Sequence, residues 1–337
     1  MDNLEYQAVA QKKLMNGKFK SIVLTAILIA AIFFPFYAGP YWLDVGFLAV
    51  FYIVLGLGLN IVVGYAGLLD LGYSAFFAVG AYSTGILMTQ FHVNFWLTII
   101  IGGALAAAAG IIIGAPTLRL RSDYLAIVTL GFGEIVRISA KNFQFTGSAS
   151  GIYGIMSPFP SPTWVGGIMI NNLAYSFWSI LIMAIFVMFA SNRLAHSRIG
   201  RSWAYIREDE DAAEAMGINR VRSKLAAYAI GATFGGLAGS IFAVKMTAIA
   251  PESFSFMQSV MILLAVILGG IGRITGVVFG AILVIILPEF LRDLGPILHI
   301  GVDVDRYRYL VFGVALVFLM IFRPQGLLPH RRERENG

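Results

Sequence analysis

The sequence predicts an all-α, polytopic integral membrane protein with about ten transmembrane helices, some of them broken or re-entrant. Of its 337 residues, 58% are hydrophobic and only 12% are charged. The mean hydropathy of +0.81 is outside the range of soluble domains. The chain contains no cysteine, which excludes disulfides, thiolate catalysis and cysteine-based metal sites.

Ten apolar segments are long enough, or nearly long enough, to cross a bilayer. A helix needs about 20 apolar residues to do so, and fewer where flanking lysines reach the interface. The segments fall at about 21–38, 45–64, 73–90, 95–116, 124–140, 174–192, 225–248, 258–271, 275–291 and 309–322. We therefore expect a cytoplasmic segment at 1–20, a transmembrane domain at 21–322 and a cytoplasmic tail at 323–337.

The distribution of lysine and arginine predicts the orientation of these spans. Of the 24 basic residues, 18 fall on one side of the predicted spans, four on the other, and two, Arg137 and Lys245, within spans. Cytoplasmic loops carry the excess of positive charge in membrane proteins. Both termini and the loop 193–224 are therefore predicted to be cytoplasmic. The net charge of +6 is explained by this distribution, so we expect a lipid bilayer and no nucleic acid as partner.

Several spans carry a small residue at every fourth position. One such stripe is Gly102, Ala106, Gly110 and Gly114; others run from Ala227 to Ala243 and from Gly272 to Gly280. Small residues at this spacing let helix backbones approach closely in lipid. The stripes predict tight packing within a bundle or against a partner's span.

The loop 193–224 contains a predicted short helix. Asp211 has the form of an N-cap, with Glu214 three residues later to bond back to it. Gly217 followed by Ile218 is typical of a glycine helix stop with its hydrophobic contact. Such a helix, displayed at the membrane surface, can dock on a soluble partner; the alternative is a solvated helix with no partner.

Two glycine-rich segments join apolar spans with almost no polar spacer, at 64–72 and 269–276. Irregular backbone at membrane depth is tolerated only where protein or a water-filled cavity surrounds it. Interruptions of this kind in two parts of a chain point to a transport pathway. The candidate pathway residues are Gly64, Gly67, Asp70, Tyr73, Gly269, Gly270 and Gly272.

Few charges lie inside or near the predicted spans. Glu134 and Arg137 are three positions apart on one predicted helix and could form an ion pair. Charges within a membrane are candidates for function, although paired or interfacial charges can be purely structural. Lys245 and Glu289 are expected near an interface.

The motifs of several protein classes are absent. The sequence has no GxxxxGK[ST] phosphate loop, so we expect this chain to bind no ATP itself. It has no HExxH or GxSxG motif, and its four histidines are isolated, so neither an enzyme nor a metal site is predicted.

Five stretches resemble the membrane permeases of ABC importers for branched-chain amino acids, LivM type. They are LNIVVGYAGLLDLGYSAFFAVGAY (59–82), SDYLAIVTLGFGEIVRI (122–138), GRSWAYIREDEDAAEAMGINRVRSKL (200–225), ILGGIGRITGVVFGA (267–281) and RPQGLL (323–328). The resemblance implies an all-α permease of a bacterial or archaeal plasma membrane. It further implies a second homologous permease (LivH type), two cytoplasmic ATP-binding subunits that hold ATP and magnesium, and an external substrate-binding protein.

The same resemblance assigns the loop helix to coupling with the ATPases, through residues of the 200–225 stretch. These are Arg207, Glu208, Asp211, Ala213, Glu214, Met216 and Gly217. The implied mechanism is alternating access driven by ATP hydrolysis on the partner subunits.

One departure from the family pattern leaves the substrate open. The outer loop reads Thr146-Gly-Ser-Ala-Ser-Gly-Ile152, without the acidic or amide residue that is usual there. A urea- or amide-type permease of the same family is one alternative. A secondary transporter with an ion site among Asp70, Glu134 and Glu289 is another, and a channel is a third.

Overall fold

A computed structural model describes residues 29–117, 122–159, 163–165, 168–170 and 172–297, together with 313, 314, 317 and 327. The predicted spans at 21–38 and 309–322 lie largely outside these residues, as do the terminal segments 1–20 and 323–337 apart from Leu327.

Helices make up most of this part of the chain. The first, α1, covers the described residues 29–37. The others are α2 (Pro40–Leu59), α3 (Ser74–Thr89), α4 (Phe95–Thr117), α5 (Ser122–Asn142), α6 (Asn172–Ala195), α7 (Arg198–Glu208), α8 (Glu210–Ala215), α9 (Arg220–Met246), α10 (Phe256–Gly269) and α11 (Ile274–Ile297). A π-helix, Asn60–Tyr65, continues α2 directly. The eight spans predicted between 45 and 291 coincide with helices to within a few residues, except that α11 continues to Ile297.

Within the described ranges, five helical segments are long and apolar enough to cross a membrane. They are Pro40–Tyr65, Phe95–Pro116, Asn172–Ala195, Arg220–Met246 and Pro251–Gly269, and Ser74–Thr89 and Ile274–Phe290 are shorter apolar helices. The helix α5 has sufficient length but carries four charged residues, Asp123, Glu134, Arg137 and Lys141. The predicted all-α polytopic membrane class is confirmed, whereas the number of ten spans is not established by these residues.

Short strands occur where the sequence predicted only loops. Ile152–Tyr153 (β1) pairs antiparallel with Ala248–Ile249 (β4). Thr163–Val165 (β2) pairs antiparallel with Ile168–Ile170 (β3). The first pair fixes the segment after α5 to the C-terminal end of α9.

The centre of the bundle is formed by α2 and α9, with α3, α4, α6, α10 and α11 packed around them. The helices α2, α9 and α6 each have an 18-residue apolar stretch. The buried share of this stretch is 83% for α2 with its π-helical end, 78% for α9 and 33% for α6. The outer face of α6 is therefore left for lipid or for a partner's span.

Glycines allow the closest helix contacts. A Cβ on Gly236 of α9 would lie 2.4 Å from the Cβ of Ala106 on α4, and one on Gly80 of α3 would lie 2.1 Å from the carbonyl oxygen of Gly236. A Cβ on Gly280 of α11 would lie 2.1 Å from the carbonyl oxygen of Ala265 on α10. These approaches are below van der Waals contact, so only glycine fits. The close packing predicted from the small-residue stripes is confirmed for these helices.

Candidate functional site

The first glycine-rich segment interrupts the helix in two steps. The α-helix α2 widens into the π-helix Asn60–Tyr65, and the backbone turns at Gly67 with φ of 72° before α3 begins at Ser74. Single π-helical turns inside helices occur often at functional sites. We refer to residues 60–73 as the first break.

The second glycine-rich segment separates α10 from α11. Gly270 and Gly272 have φ of 115° and 84°, values that L-residues with side chains rarely adopt. The backbone N–H of Arg273 donates to the carbonyl of Gly270 at 3.3 Å and closes a tight turn. We refer to residues 270–273 as the second break.

The two breaks are in direct contact. The backbone N–H of Gly272 donates a hydrogen bond of 2.9 Å to the side-chain oxygen of Asn60, which is itself buried. A Cβ on Gly64 would lie 2.1 Å from this oxygen and 2.8 Å from the nitrogen of Gly272. The contact between the two breaks therefore requires glycine at position 64. Asn60 was not among the predicted site residues.

Arg207, near the C-terminal end of α7, reaches both breaks. Its Nη1 donates to the carbonyl oxygen of Gly64 at 2.5 Å. A Cβ on Gly272 would lie 3.2 Å from the same Nη1, and one on Gly67 would lie 2.9 Å from the Cγ of Arg207. The segment predicted to dock on a partner thus touches the predicted pathway glycines through one side chain.

The short helix α8 follows immediately, but its cap differs from the prediction. Asp209, not Asp211, is the N-cap, and its Oδ1 accepts from the backbone N–H groups of Asp211 and Ala212 at 2.9 and 3.0 Å. Glu214 does not bond back to the cap; it pairs with Arg220 at 3.1 Å. The helix starts earlier because the extended backbone of Asp209 both ends α7 and frees its side chain to cap α8.

The C-terminal end of α8 has the geometry expected of a glycine stop. Gly217 has φ of 84°. The N–H of Ile218 donates to the carbonyl of Ala213 at 3.1 Å, and that of Gly217 to the carbonyl of Glu214 at 2.9 Å. This is the paired pattern of a Schellman motif.

The predicted coupling residues divide into two groups. Ala213 is buried, 3% exposed, against the chain itself, so it cannot contact a partner in this arrangement. Met216 at the tip of α8 is 83% exposed. The remaining members are also exposed: Arg207, Glu208, Asp211, Glu214 and Gly217.

Ion pairs fix α8 to the start of α9. Lys224, only 3% exposed, pairs with Glu210 at 2.5 Å. Arg220 pairs with Asp211 at 3.2 Å as well as with Glu214. The buried indole of Trp203 on α7 donates to the carbonyl of Ser223 at 2.7 Å. The segment α7–α8 and the first turns of α9 are therefore joined by several side-chain contacts.

Asp70 and Tyr73 are buried at the end of the first break. The Oδ1 of Asp70 accepts from the backbone N–H of Gly72 at 2.8 Å. Tyr73 donates its hydroxyl to the carbonyl of Gly231 on α9 at 2.7 Å. Within the described residues, the Oδ2 of Asp70 and the hydroxyl of Tyr228 have no hydrogen-bond partner. Asp70 thus faces protein rather than lipid, next to the central helix.

The ion pair of Glu134 and Arg137, which was predicted from the sequence, lies at the end of the bundle opposite to α8. Arg137 contacts Glu134 at 2.8 Å and Glu252 at 3.2 Å, and Lys141 contacts Glu252 at 3.3 Å. Lys245, near the C-terminal end of α9, pairs with Asp44 at 2.7 Å. The partners Glu252 and Asp44 were not found from the sequence, because they lie more than 100 positions away.

No cluster of histidine, cysteine or carboxylate side chains in the described ranges is arranged to hold a metal ion. The site therefore consists of two backbone breaks, one asparagine, one arginine and a capped surface helix.

Comparisons with known proteins find similarity to permeases of branched-chain amino acid transport systems. Residues 41–320 match the family model described as branched-chain amino acid transport system / permease component. The chain is 39% identical to the high-affinity branched-chain amino acid transport system permease protein LivM of Escherichia coli K12, over 93% of this chain and 76% of that protein. It is 26% identical to a probable LivM permease of Methanocaldococcus jannaschii, over 83% and 91%.

A second type of permease is also similar. The high-affinity branched-chain amino acid transport system permease protein LivH of Escherichia coli K12 is 23% identical, over 82% of this chain and 91% of that protein. No solved structure matches the chain.

Proposed function

The chain belongs to the branched-chain amino acid transport system permease family, and on that premise we propose that it is the LivM-type subunit of an ATP-driven importer. Its cargo is leucine, isoleucine and valine, the branched-chain amino acids for which its LivM relatives are named. The chain forms part of the membrane pathway and hydrolyses no ATP itself. It works by alternating access.

The observation that carries this proposal is the contact between α7 and the two breaks. A surface segment with a capped helix, an exposed methionine at its tip and an arginine bonded to the pathway backbone is suited to transmit force. A secondary transporter would need no such segment, because ions bind within its own spans. The contact therefore favours a permease driven by soluble subunits.

The proposed assembly has four further members. A LivH-type permease pairs with this chain, and the similarity between the two chain types supports related membrane folds. Two ATP-binding subunits dock on α8 from the cytoplasm, with ATP and magnesium held in those subunits. An external binding protein delivers the amino acid to the opposite end of the bundle, and both termini lie in the cytoplasm.

Reconstitution of the five subunits in liposomes tests this proposal. Uptake of labelled leucine should require ATP inside and binding protein outside, and it should persist after ionophores collapse the sodium and proton gradients. An ATP-binding subunit with its phosphate-loop lysine replaced is the control for hydrolysis. Gradient-driven uptake by this chain alone would establish the secondary-transporter alternative instead.

Competition defines the cargo in the same liposomes. Unlabelled isoleucine and valine should reduce leucine uptake, whereas urea and short amides should leave it unchanged. Uptake of labelled urea with no leucine uptake would assign the chain to the amide-type alternative.

A further inference from the structure

We propose that Arg207 is a positioning residue that connects the docking segment to both membrane breaks, rather than a contact to the ATP-binding subunits. The proposal rests on the proposed function, since it states how force from those subunits reaches the pathway. It differs from the role that family resemblance gives to this exposed residue, because Nη1 of its side chain is bonded to the backbone of its own chain.

The first support is the geometry of the guanidinium. Its Nη1 donates to the carbonyl of Gly64, which lies in the π-helix. A widened helical turn has backbone carbonyls outside the regular i to i−4 ladder, and a side-chain donor can satisfy one of them. Hydrogen bonds from a charged donor are about twice as strong as neutral ones. The contact of Arg207 with Gly64 is therefore suited to transmit a displacement of α7 to the π-helix.

The second support is that the contact extends to the other break. The backbone N–H of Gly272 is held by Asn60, four residues before Gly64 on the same π-helix. Nη1 of Arg207 also lies 3.2 Å from the position that a Cβ of Gly272 would take. A displacement of Arg207 therefore acts at one point on the end of α2, a central helix, and on the start of α11, which packs against α2.

The third support is the position of Arg207 relative to α8. Only Glu208 and the cap Asp209 separate it from the first residue of α8. The helix α8 is itself held on α9: Lys224 pairs with Glu210 at its start, and Arg220 pairs with Asp211 and with Glu214 towards its end. A force applied to α8 therefore acts on α9 directly and on the two breaks through Arg207.

The test uses the complete reconstituted importer and the variants Arg207→Met and Arg207→Lys. Methionine keeps the length of the aliphatic chain but removes every donor, whereas lysine can still donate to the carbonyl of Gly64. Arg201→Met is the matched control: Arg201 lies on the same helix, and its Nη1 donates to the carbonyl of His196 outside the breaks.

The quantity measured is the ATP hydrolysed per leucine imported. Arg207→Met should keep the ATP-binding subunits bound and hydrolysing while this ratio rises about tenfold, because loss of one charge-assisted bond weakens the connection by about that factor. Arg207→Lys should recover most of the coupling, and Arg201→Met should match the unchanged chain.

Two outcomes would overturn the inference. An unchanged ratio in Arg207→Met would show that the contact carries no coupling. Loss of the ATP-binding subunits from Arg207→Met during purification would show that the residue docks them directly. Both are distinct from failure of the proposed function, in which the unaltered complex itself imports no leucine with ATP.

Discussion

The side-chain oxygen of Asn60 accepts a hydrogen bond of 2.9 Å from the backbone N–H of Gly272, across 212 positions of sequence. This bond joins the π-helix that ends α2 to the turn between α10 and α11. Two interruptions of the membrane bundle are thereby held as one structural unit, and Arg207 reaches that unit from α7.

Replacing Asn60 with leucine should weaken this unit. The substitution conserves shape but leaves the N–H of Gly272 without its acceptor, which costs about 1–3 kcal/mol. We expect a lower midpoint of thermal unfolding in detergent and reduced leucine uptake. Asn142→Leu is the control, since Asn142 is exposed and its amide donates to the carbonyl of Ile138 four residues earlier. Equal stability of the two variants would contradict the assigned role of Asn60.

Replacing Gly64 with alanine tests the close approach of the breaks. The added methyl group would meet the oxygen of Asn60 at 2.1 Å and the nitrogen of Gly272 at 2.8 Å, so the backbone must move apart. We expect uptake to fall at least about tenfold, with the chain still inserted in the membrane. Gly131→Ala on α5 should transport normally, because nothing lies within 4 Å of its added methyl group. Normal uptake by Gly64→Ala would show that the breaks can separate without loss of function.

Replacing Gly217 with valine tests the stop of α8. No atom lies within 4 Å of an added Cβ, so the cost arises from the left-handed backbone, φ of 84°, which a branched residue avoids. A strain of about 1–2 kcal/mol should shift the exposed tip and lower the amount of ATP-binding subunit that copurifies. Gly217→Asn should behave nearly like the unchanged chain, since asparagine tolerates this conformation. If valine and asparagine variants retain the subunits equally, the tip is not a docking element.

The two members of the Lys224–Glu210 pair should differ in how much their substitution destabilises the protein. Lys224 is 3% exposed, whereas the side chain of Glu210 is 45% exposed. Glu210→Gln leaves a buried ammonium without its carboxylate and should reduce the free energy of unfolding by about 2 kcal/mol. Lys224→Met leaves an exposed carboxylate that water can hydrate, so its effect should be smaller. A double-mutant cycle in detergent measures both, and a larger effect for Lys224→Met would contradict this account.

Much of the fold could be predicted from sequence because long apolar segments directly indicate helices that cross a bilayer. The positions of α2 to α6 and α9 to α11 follow from apolar length, and the breaks follow from glycine runs such as Gly269-Gly-Ile-Gly272. Glycine conformation is a local property, so Gly217 was also assigned its left-handed stop correctly.

The connections between elements could not be predicted in the same way. Asn60 lies in an apolar run, and no local pattern indicates that it bonds to Gly272 in another part of the chain. The N-cap of α8 was placed at Asp211 because two aspartates, Asp209 and Asp211, offer similar signals. The backbone conformation of the folded chain selects Asp209. The bond of Arg207 to Gly64 was likewise not predicted, because resemblance reports a segment's role and not the direction of each side chain.

The central claim is that soluble subunits act on the first break through α7 and α8. The most direct measurement is the labelling rate of a single cysteine at Leu69, a partly buried residue of that break, by a water-soluble thiol reagent in the complete complex. The chain has no cysteine of its own, and Ser150→Cys, at an exposed position near the opposite end, serves as the reference. We predict that trapping the ATP-binding subunits with nucleotide changes the rate at position 69 several-fold and leaves the reference unchanged. An equal rate at position 69 in both states, in a complex that imports leucine, would contradict the claim.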